Sequence, residues 1–285
     1  MLAPGPYFPA VFSLGAVGAW GTSDFLGGLG ARRVNAFLFT LFVHLSGMLL
    51  ASFLALAMGV PFPASRSLLW ALAAGTFGGL ALAIFYRALA AGKMGLVAPL
   101  AAVIGAAIPA IVTAFSEGFP GARHVVGFVL AGIGVWFISR TESTTEEEDA
   151  RPQGLGMAVL AGLGFVGFYL CIHHAGSGSA LWIAVCSRFA SVVVTLAVVV
   201  VGRQFSAITR PILAVTIITG VLDISGSIGF IRAAQIGRLD AAVVLTSLYP
   251  AVTVILARIF LHEHFSRART LGMFAALVAV PLIVG

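Results

Sequence analysis

Charged residues are scarce in this chain. Asp, Glu, Lys and Arg make up only 9% of its 285 residues, whereas a soluble globular domain has about 25%. Hydrophobic residues make up 60%, and the mean hydropathy is +1.09. A soluble protein of this length could not bury so much apolar surface. Most of the chain must therefore face lipid or other buried helices.

Other features are absent as well. The two cysteines, Cys171 and Cys186, fall in apolar runs without metal-ligand spacing, so we interpret them as small buried residues and expect no metal site and no disulfide. The net charge is +6, but the basic residues are scattered between apolar runs, so no nucleic-acid partner is predicted. No cleavable signal peptide and no Walker-type phosphate loop is recognised, and we expect no cofactor.

Ten apolar runs are long enough to cross a bilayer, which takes about 20 residues. The sequence therefore predicts an all-α integral membrane protein with ten transmembrane helices. The predicted runs are 8–30, 35–59, 67–89, 93–115, 123–139, 154–174, 179–201, 211–232, 239–261 and 267–285.

The connections between runs are short except for residues 140–153, which hold five of the ten acidic residues (Glu142, Glu146, Glu147, Glu148 and Asp149). We interpret 140–153 as a polar acidic linker between a first five-helix repeat, 1–139, and a second, 154–285. An offset of 145 residues aligns Gly75, Phe85, Arg87, Ala88, Gly92 and Leu100 with Gly220, Phe230, Arg232, Ala233, Gly237 and Leu245, and Lys93 with Arg238. With the offset increased by one residue, Glu117 matches Glu263. Five helices per half is an odd number, so the two repeats are inverted, as in transporters with a site near the midplane.

Four ionisable residues lie deep inside apolar runs: Asp24, His44, Arg188 and Asp223. A charge at mid-bilayer costs roughly 2.5–3.5 kcal/mol on insertion scales, so such residues pair with each other or face a wet cavity. Arg188 and Asp223 are predicted either to bind a polar or zwitterionic solute or to form a permanent buried ion pair. The sequence leaves both alternatives open.

Polar stripes at helical spacing run along three successive helices and indicate a shared wet cavity. They comprise Arg188, Ser191 and Thr195; Thr216, Thr219, Asp223 and Ser227; and Thr246, Tyr249 and Thr253. We predict a solute site that includes Arg188, Asp223, Tyr249, Trp20 and Thr246. Asp24 and His44 are the candidates for proton coupling. The alternative for these two is hydrogen bonding within the helix bundle.

Prolines interrupt the fourth and ninth runs, which are equivalent in the two halves. Pro99 and Pro250 are predicted to kink their helices or to act in gating, because proline frees a backbone carbonyl in the preceding turn.

Three groups of motifs occur in the chain: Trp-Gly-Thr-Ser-Asp-Phe-Leu at Trp20–Leu26 with Arg32-Arg33; Tyr86–Ala90 with Gly92 and Val97–Pro99; and Ser247–Thr253 with Ala257-Arg258 and Glu263. Together they resemble the EamA-type transporters of the drug/metabolite transporter superfamily. The resemblance covers nearly the whole chain. It implies ten helices in two inverted halves and transport of a small molecule, often by efflux. Phe115-Ser116-Glu117 and the position of Pro109 depart from the pattern.

The orientation in the membrane stays open. With the N-terminal side called side A, side B collects eleven basic residues and side A collects four: Arg66, Arg123, Arg232 and Arg238. The positive-inside rule therefore favours termini outside, whereas the resemblance implies termini in the cytoplasm.

The predicted function is secondary active transport of a small polar metabolite or drug, by efflux or exchange, with proton coupling as one option. An intramembrane enzyme and a channel are the alternatives, but the sequence has no HExxH or Gly-x-Ser-x-Gly motif, and we expect no enzyme. The predicted location is a bacterial inner or plasma membrane, crossed several times. The expected partners are a small-molecule substrate and the lipid bilayer, and homodimer formation stays open.

Overall fold

The structure is a computed structural model that describes residues 7–91, 94–139, 151–261 and 267–284. In these ranges the backbone forms helices joined by turns, without a strand. The helices are α1 (Phe8–Ala31), α2 (Ala36–Ala57), α3 (Ser65–Ala91), α4 (Met94–Ser116), α5 (Ala122–Ser139), α6 (Arg151–Ala175), α7 (Ala180–Val201), α8 (Arg210–Ile236), α9 (Leu239–Thr246), α10 (Tyr249–Leu261) and α11 (Arg267–Val284). They follow the predicted runs in order, and the ninth run is divided into α9 and α10.

Six helical segments in these ranges are long and apolar enough to cross a membrane: α2, α3, α7, α8, residues Gly156–Ala175 of α6, and Leu239–Leu261 across α9 and α10. Shorter apolar helices lie within α4, α5 and α11. Large apolar side chains such as Phe53, Phe115 and Leu277 point outward and are exposed. In a bilayer these side chains face hydrocarbon, so the chain is a multi-pass membrane protein.

Two tight turns are fixed by side-chain caps. The Oδ1 atom of Asn35 accepts hydrogen bonds from the backbone N–H groups of Phe37 (2.9 Å) and Leu38 (3.3 Å) at the start of α2. Ser179 Oγ caps α7 in the same way, by accepting from Trp182 N at 3.5 Å. Such caps satisfy donors that a helix leaves unpaired at its first turn. They let the chain reverse direction within a few residues.

The ninth run breaks at Ser247 and Leu248, just before Tyr249 and Pro250. Ser247 N still donates to Val243 O at 2.9 Å, but Leu248 N turns back to Leu245 O at 3.2 Å. Pro250 has no N–H to continue the α9 ladder. The predicted interruption at Pro250 is thus present as a full break. The fourth run is different, because α4 is assigned as one helix through Pro99.

The predicted linker is only partly described. Residues 140–150 lie outside the described residues, as do Gly92, Lys93 and Glu263 of the repeat comparison. Residues 151–153, which we predicted to be linker, form the first turn of α6. The helical part of the second half therefore begins three residues earlier than predicted. Pro152 is compatible with this start, because proline is favoured in the first turn of a helix.

Small residues bring the helices into backbone contact. Gly75 of α3 lies against the backbone of Ser187 on α7, and Gly220 of α8 lies against the backbone of Val43 on α2. Helix α3 also packs along α6, and α8 packs along α1. Helices α5 and α11 cross where Gly134 meets Gly272. In lipid there is little hydrophobic driving force between helices, so the van der Waals contacts made by such close approach hold the helices together.

The Gly75 contact generates the first prediction. Gly75→Ala should lower the midpoint of thermal unfolding in detergent, because the added Cβ would overlap Ser187 O and overpacking costs about 1–3 kcal/mol. Gly18→Ala is the matched control, since a Cβ there meets nothing within 4 Å. The control should be neutral or stabilising, because Ala is the better helix former. Equal midpoints for both variants would contradict the packing described here.

Candidate functional site

A cavity of about 460 Å³, its open mouth included, lies among six helices. It is lined by Trp20 and Asp24 of α1; Gly78 and Leu82 of α3; Phe165, Phe168 and Tyr169 of α6; Arg188 of α7; Asp223 and Ser227 of α8; and Tyr249 of α10. Asp223 is about 20 Å from either end of its helix at 1.5 Å per residue. The cavity therefore lies near the middle of the bundle.

An ion pair forms one wall of the cavity. Arg188 Nη2 lies 2.7 Å from Asp223 Oδ2, and each residue is only 4% exposed. The same Nη2 donates to Ser227 Oγ, which in turn donates to the backbone oxygen of Asp223 at 2.9 Å. Asp223 Oδ2 has the ion contact but no well-aligned hydrogen bond, and Arg188 Nε has no partner among the described residues. The pair thus joins α7 to α8 and keeps unused hydrogen-bonding capacity.

A second carboxylate faces the same cavity from α1. Asp24 is 5% exposed and has no hydrogen-bond or ion-pair partner within the described part of the chain. Its neighbour Ser23 does not reach it, since Ser23 Oγ shares a hydrogen bond with Tyr86 OH at 3.1 Å. The wall therefore carries two carboxylates and one guanidinium.

Aromatic side chains form most of the remaining wall. Trp20 donates from Nε1 to the backbone oxygen of Asp223 at 3.2 Å, so its ring is fixed beside the ion pair. The Trp20 and Tyr169 ring centroids are 6.3 Å apart, and Phe230 packs behind both at 5.7 and 4.9 Å. Tyr249 packs edge-on against the ring of Phe85, with the centroids 6.3 Å apart. These contacts make a rigid aromatic surface on the side of Asp24.

Some predicted site residues do not line the cavity. Thr246 is fully buried, and its hydroxyl donates to Ala242 O at 2.8 Å within α9. The hydroxyls of Thr195, Thr216 and Thr219 likewise donate to carbonyls of the preceding turn. Those of Ser191 and Thr253 donate to backbone oxygens of neighbouring helices, Gly75 O and Gly21 O. The predicted wet stripes are therefore largely satisfied within their own helices. Of the three stripes, the cavity receives only Arg188, Asp223, Ser227 and Tyr249.

His44 lies outside the cavity wall on α2, which packs against α7 and α8. It is fully buried, and neither ring nitrogen has a hydrogen-bond partner among the described residues. Pro250 is buried beside Tyr249 at the helix break. The side chain of Pro99 is outside the described part of the structure.

The sequence interpretation missed several wall residues, and the internal repeat is the signal that would have found them. The offset of 145 residues pairs wall residues with one another: Trp20 with Phe165, Asp24 with Tyr169, Gly78 with Asp223, and Leu82 with Ser227. Phe165 and Tyr169 are thus the counterparts of two residues that the sequence did single out.

On side A, loops of the two halves are tied together. The Glu117 carboxylate, after α4, lies 3.4 Å from His173 Nε2 on α6. Arg238 Nη2 donates to Gly118 O at 3.0 Å and to Asp240 Oδ2 at 2.8 Å. The hydrogen bond to Asp240 raises the pKa of Arg238, so its guanidinium keeps its charge. These contacts join loops of the two halves on side A.

The ion pair generates the second prediction. Arg188→Met alone should destabilise the protein by about 3–5 kcal/mol, because it leaves the Asp223 carboxylate buried without its partner. Arg188→Met with Asp223→Leu should recover most of that loss, since no charge is then left alone. Denaturant or thermal unfolding of the single and double variants in detergent measures the coupling. Additive losses would mean that the two charges do not interact.

Residues 152–285 match the sequence model of the EamA-like transporter family. No curated protein matches the sequence. Several solved structures share the fold. One of them, described as a crystal structure of a protein, has a TM-score of 0.75 and 15% sequence identity, and the match covers 96% of this chain and 95% of that one.

This structural likeness supports the fold alone at such low identity. The family match carries more, because it rests on the sequence of the second half. The second half of the chain, residues 152–285, is therefore similar to the EamA-like transporter family, a family of the drug/metabolite transporter superfamily.

Proposed function

We propose that this protein is a secondary transporter that moves a small solute through the midplane cavity by alternating access. The observation that carries the proposal is the set of three buried charges, Asp24, Arg188 and Asp223, around one cavity at mid-bilayer depth. A structural role alone would be served by the Arg188–Asp223 pair. The additional unpaired carboxylate is costly in a membrane unless it binds something.

The two halves, 1–139 and 154–285, act in this proposal as inverted repeats. The packing supports it, because contacts between helices of the two halves recur between their counterparts. Helix α3 packs on α6 and α7, and α8, the counterpart of α3, packs on α1 and α2, the counterparts of α6 and α7. Gly75 and Gly220, related by the 145-residue offset, each meet the backbone of a helix from the other half. The paired wall residues then lie around the pseudo-two-fold axis, where transport sites of this architecture occur.

Rocking of the halves opens the cavity to one side at a time. In the described conformation the side A contacts, Glu117 with His173 and Arg238 with Gly118, join first-half loops to the second half. Opening to side A requires these contacts to separate. A partly exposed pair such as Glu117 with His173 contributes only about 0–1 kcal/mol. The hydrogen bond from Arg238 to Gly118 O contributes about 0.5–1.5 kcal/mol. Such small energies suit contacts that form and break. The break before Pro250 supplies a point at which α9 and α10 can change their angle.

In the proposed cycle, the solute occupies the cavity lined by Arg188, Asp223, Tyr249 and Trp20, and Asp24 holds the proton and the solute in turn. A carboxyl group without a partner at this depth must be neutralised by a proton or by a cationic group of the solute, because the uncompensated charge costs about 2.5–3.5 kcal/mol. Alternate occupation by proton and solute would couple their movements. His44 is the second candidate for proton transfer, since both of its ring nitrogens lack a partner among the described residues.

The third prediction concerns coupling. Purified protein in weakly buffered detergent should release protons when a transported solute from a metabolite panel is added, because the solute displaces the proton of Asp24. Asp24→Asn should abolish the release. Asp149→Asn, the same change in the segment predicted to be the linker, should leave it intact. Undiminished release from Asp24→Asn would assign the proton to another group and contradict this part of the proposal.

Transport itself is tested in proteoliposomes with an imposed pH gradient. Wild-type protein should accumulate the radiolabelled solute against its gradient, and Asp24→Asn should not accumulate it. Equilibration without accumulation, accompanied by single-channel currents, would favour a channel. Chemical conversion of the solute by detergent-solubilised protein would favour an intramembrane enzyme. Either result would overturn the transporter proposal.

A further inference from the structure

The charges in the cavity specify the sign of the ligand. Asp24 and Asp223 supply two negative charges, and Arg188 supplies one positive charge, so the wall has one carboxylate in excess. No other Asp, Glu, Lys, Arg or His side chain of the described residues lines the cavity. His44 on α2 lies outside the cavity wall and adds no charge to it. A ligand with a single positive charge would make the filled site neutral.

The aromatic side chains specify the body of the ligand. Trp20, Phe165, Phe168, Tyr169 and Tyr249 line the same cavity as Asp24. The indole of Trp20 is held in place by its hydrogen bond to the backbone oxygen of Asp223. Faces of Trp and Tyr rings attract ammonium groups, and the attraction is stronger where water is excluded. Trp20 and Asp24 are one helical turn apart on α1, so an ammonium group bound to the carboxylate lies next to the ring.

From the charge excess and the aromatic wall we propose that the cavity takes an organic monocation, namely an ammonium group on an apolar or aromatic body. This inference rests on the proposed transport function, because it names the substrate class of the same site. The ammonium group binds the Asp24 carboxylate, and the apolar body contacts the rings of Trp20 and Tyr169. Arg188 stays paired with Asp223 throughout and does not bind the ligand's head group.

Ligands of other charge fit less well. A zwitterion keeps the net charge of the cavity at minus one, and its carboxylate would have to compete with Asp223 for Arg188 at a separation of 2.7 Å. An anion raises the negative charge further. A neutral ligand leaves the proton on Asp24 and makes no charge contact with that carboxyl group. The monocation alone satisfies Asp24 without disturbing the ion pair.

The test uses four probes with the same phenyl ring and a similar chain: phenethylamine, phenylalanine, 2-phenylethanol and 3-phenylpropanoate. Binding to purified full-length protein is measured by isothermal titration calorimetry at neutral pH. Phenethylamine should bind at least about tenfold more tightly than the other three, the ratio expected for one desolvated cation–π or ion contact. Asp24→Asn should weaken phenethylamine binding by at least about tenfold, and Trp20→Leu by a smaller factor, for the same reason. Asp149→Asn, the matched control, should bind phenethylamine as the wild type does.

Each outcome decides between the inference and its alternatives. Tightest binding of phenylalanine, equal binding of all four probes, or no binding of phenethylamine to folded wild-type protein would overturn the monocation assignment. Unchanged phenethylamine affinity in Asp24→Asn would overturn it as well, and a thermal unfolding curve of that variant shows that it is folded. The proposed function is judged separately. If phenethylamine binds through Asp24 but is not accumulated in proteoliposomes, the ligand class stands and the transport proposal fails.

Discussion

The electrostatic cost of burying charge at mid-bilayer depth is the constraint on which the rest of this structure depends. Arg188 and Asp223 reduce this cost by pairing at 2.7 Å, and Arg188 also donates a hydrogen bond to Ser227 on α8. Trp20 adds a hydrogen bond to the backbone of Asp223, so α1 is fixed to the same point as α7 and α8. Asp24 is left over by this arrangement, and the proposed function follows from its unmet requirement for a partner.

The scaffold around these charges is nearly symmetric, whereas the charges are not. Glycines at equivalent positions, such as Gly75 and Gly220, make equivalent backbone contacts. Around the cavity, however, Asp24 is the counterpart of Tyr169, and Asp223 is the counterpart of Gly78. In the proposed mechanism, a symmetric scaffold would give two conformations of similar packing energy, as alternating access requires, while a single copy of each charged residue would define one binding site for both conformations.

Much of the fold was predictable because length and hydropathy alone determine which segments can cross a bilayer. The break before Pro250 was predictable too, since Pro250 lacks the donor that α9 would need. Helix α4, in the equivalent run, continues through Pro99, and the kink or gating role of Pro99 stays a prediction. Helix boundaries shifted by a few residues, as at 151–153, because polar residues can occupy a first helical turn.

The candidate site was less predictable. Helical spacing placed Thr246 with Tyr249, but a buried threonine can satisfy its hydroxyl on its own helix, and Thr246 does so. Periodicity identifies the face of a helix and not the partner of a side chain. The aromatic wall from α6 was missed because Phe and Tyr in an apolar run carry no signal of their own. Only their relation to Trp20 and Asp24 through the internal repeat distinguishes them.

Alternating access requires that the two halves rock about the cavity. Spin-label distances by double electron–electron resonance test it most directly, with one label pair on side A (Gly121 with Ser177) and one on side B (Arg33 with Ser206), each joining the first half to the second. The account predicts two distance populations for each pair, with the side A distance increasing as the side B distance decreases when the pH or a bound solute shifts the equilibrium. A single unchanged distance for both pairs, or distances that increase together, would contradict alternating access.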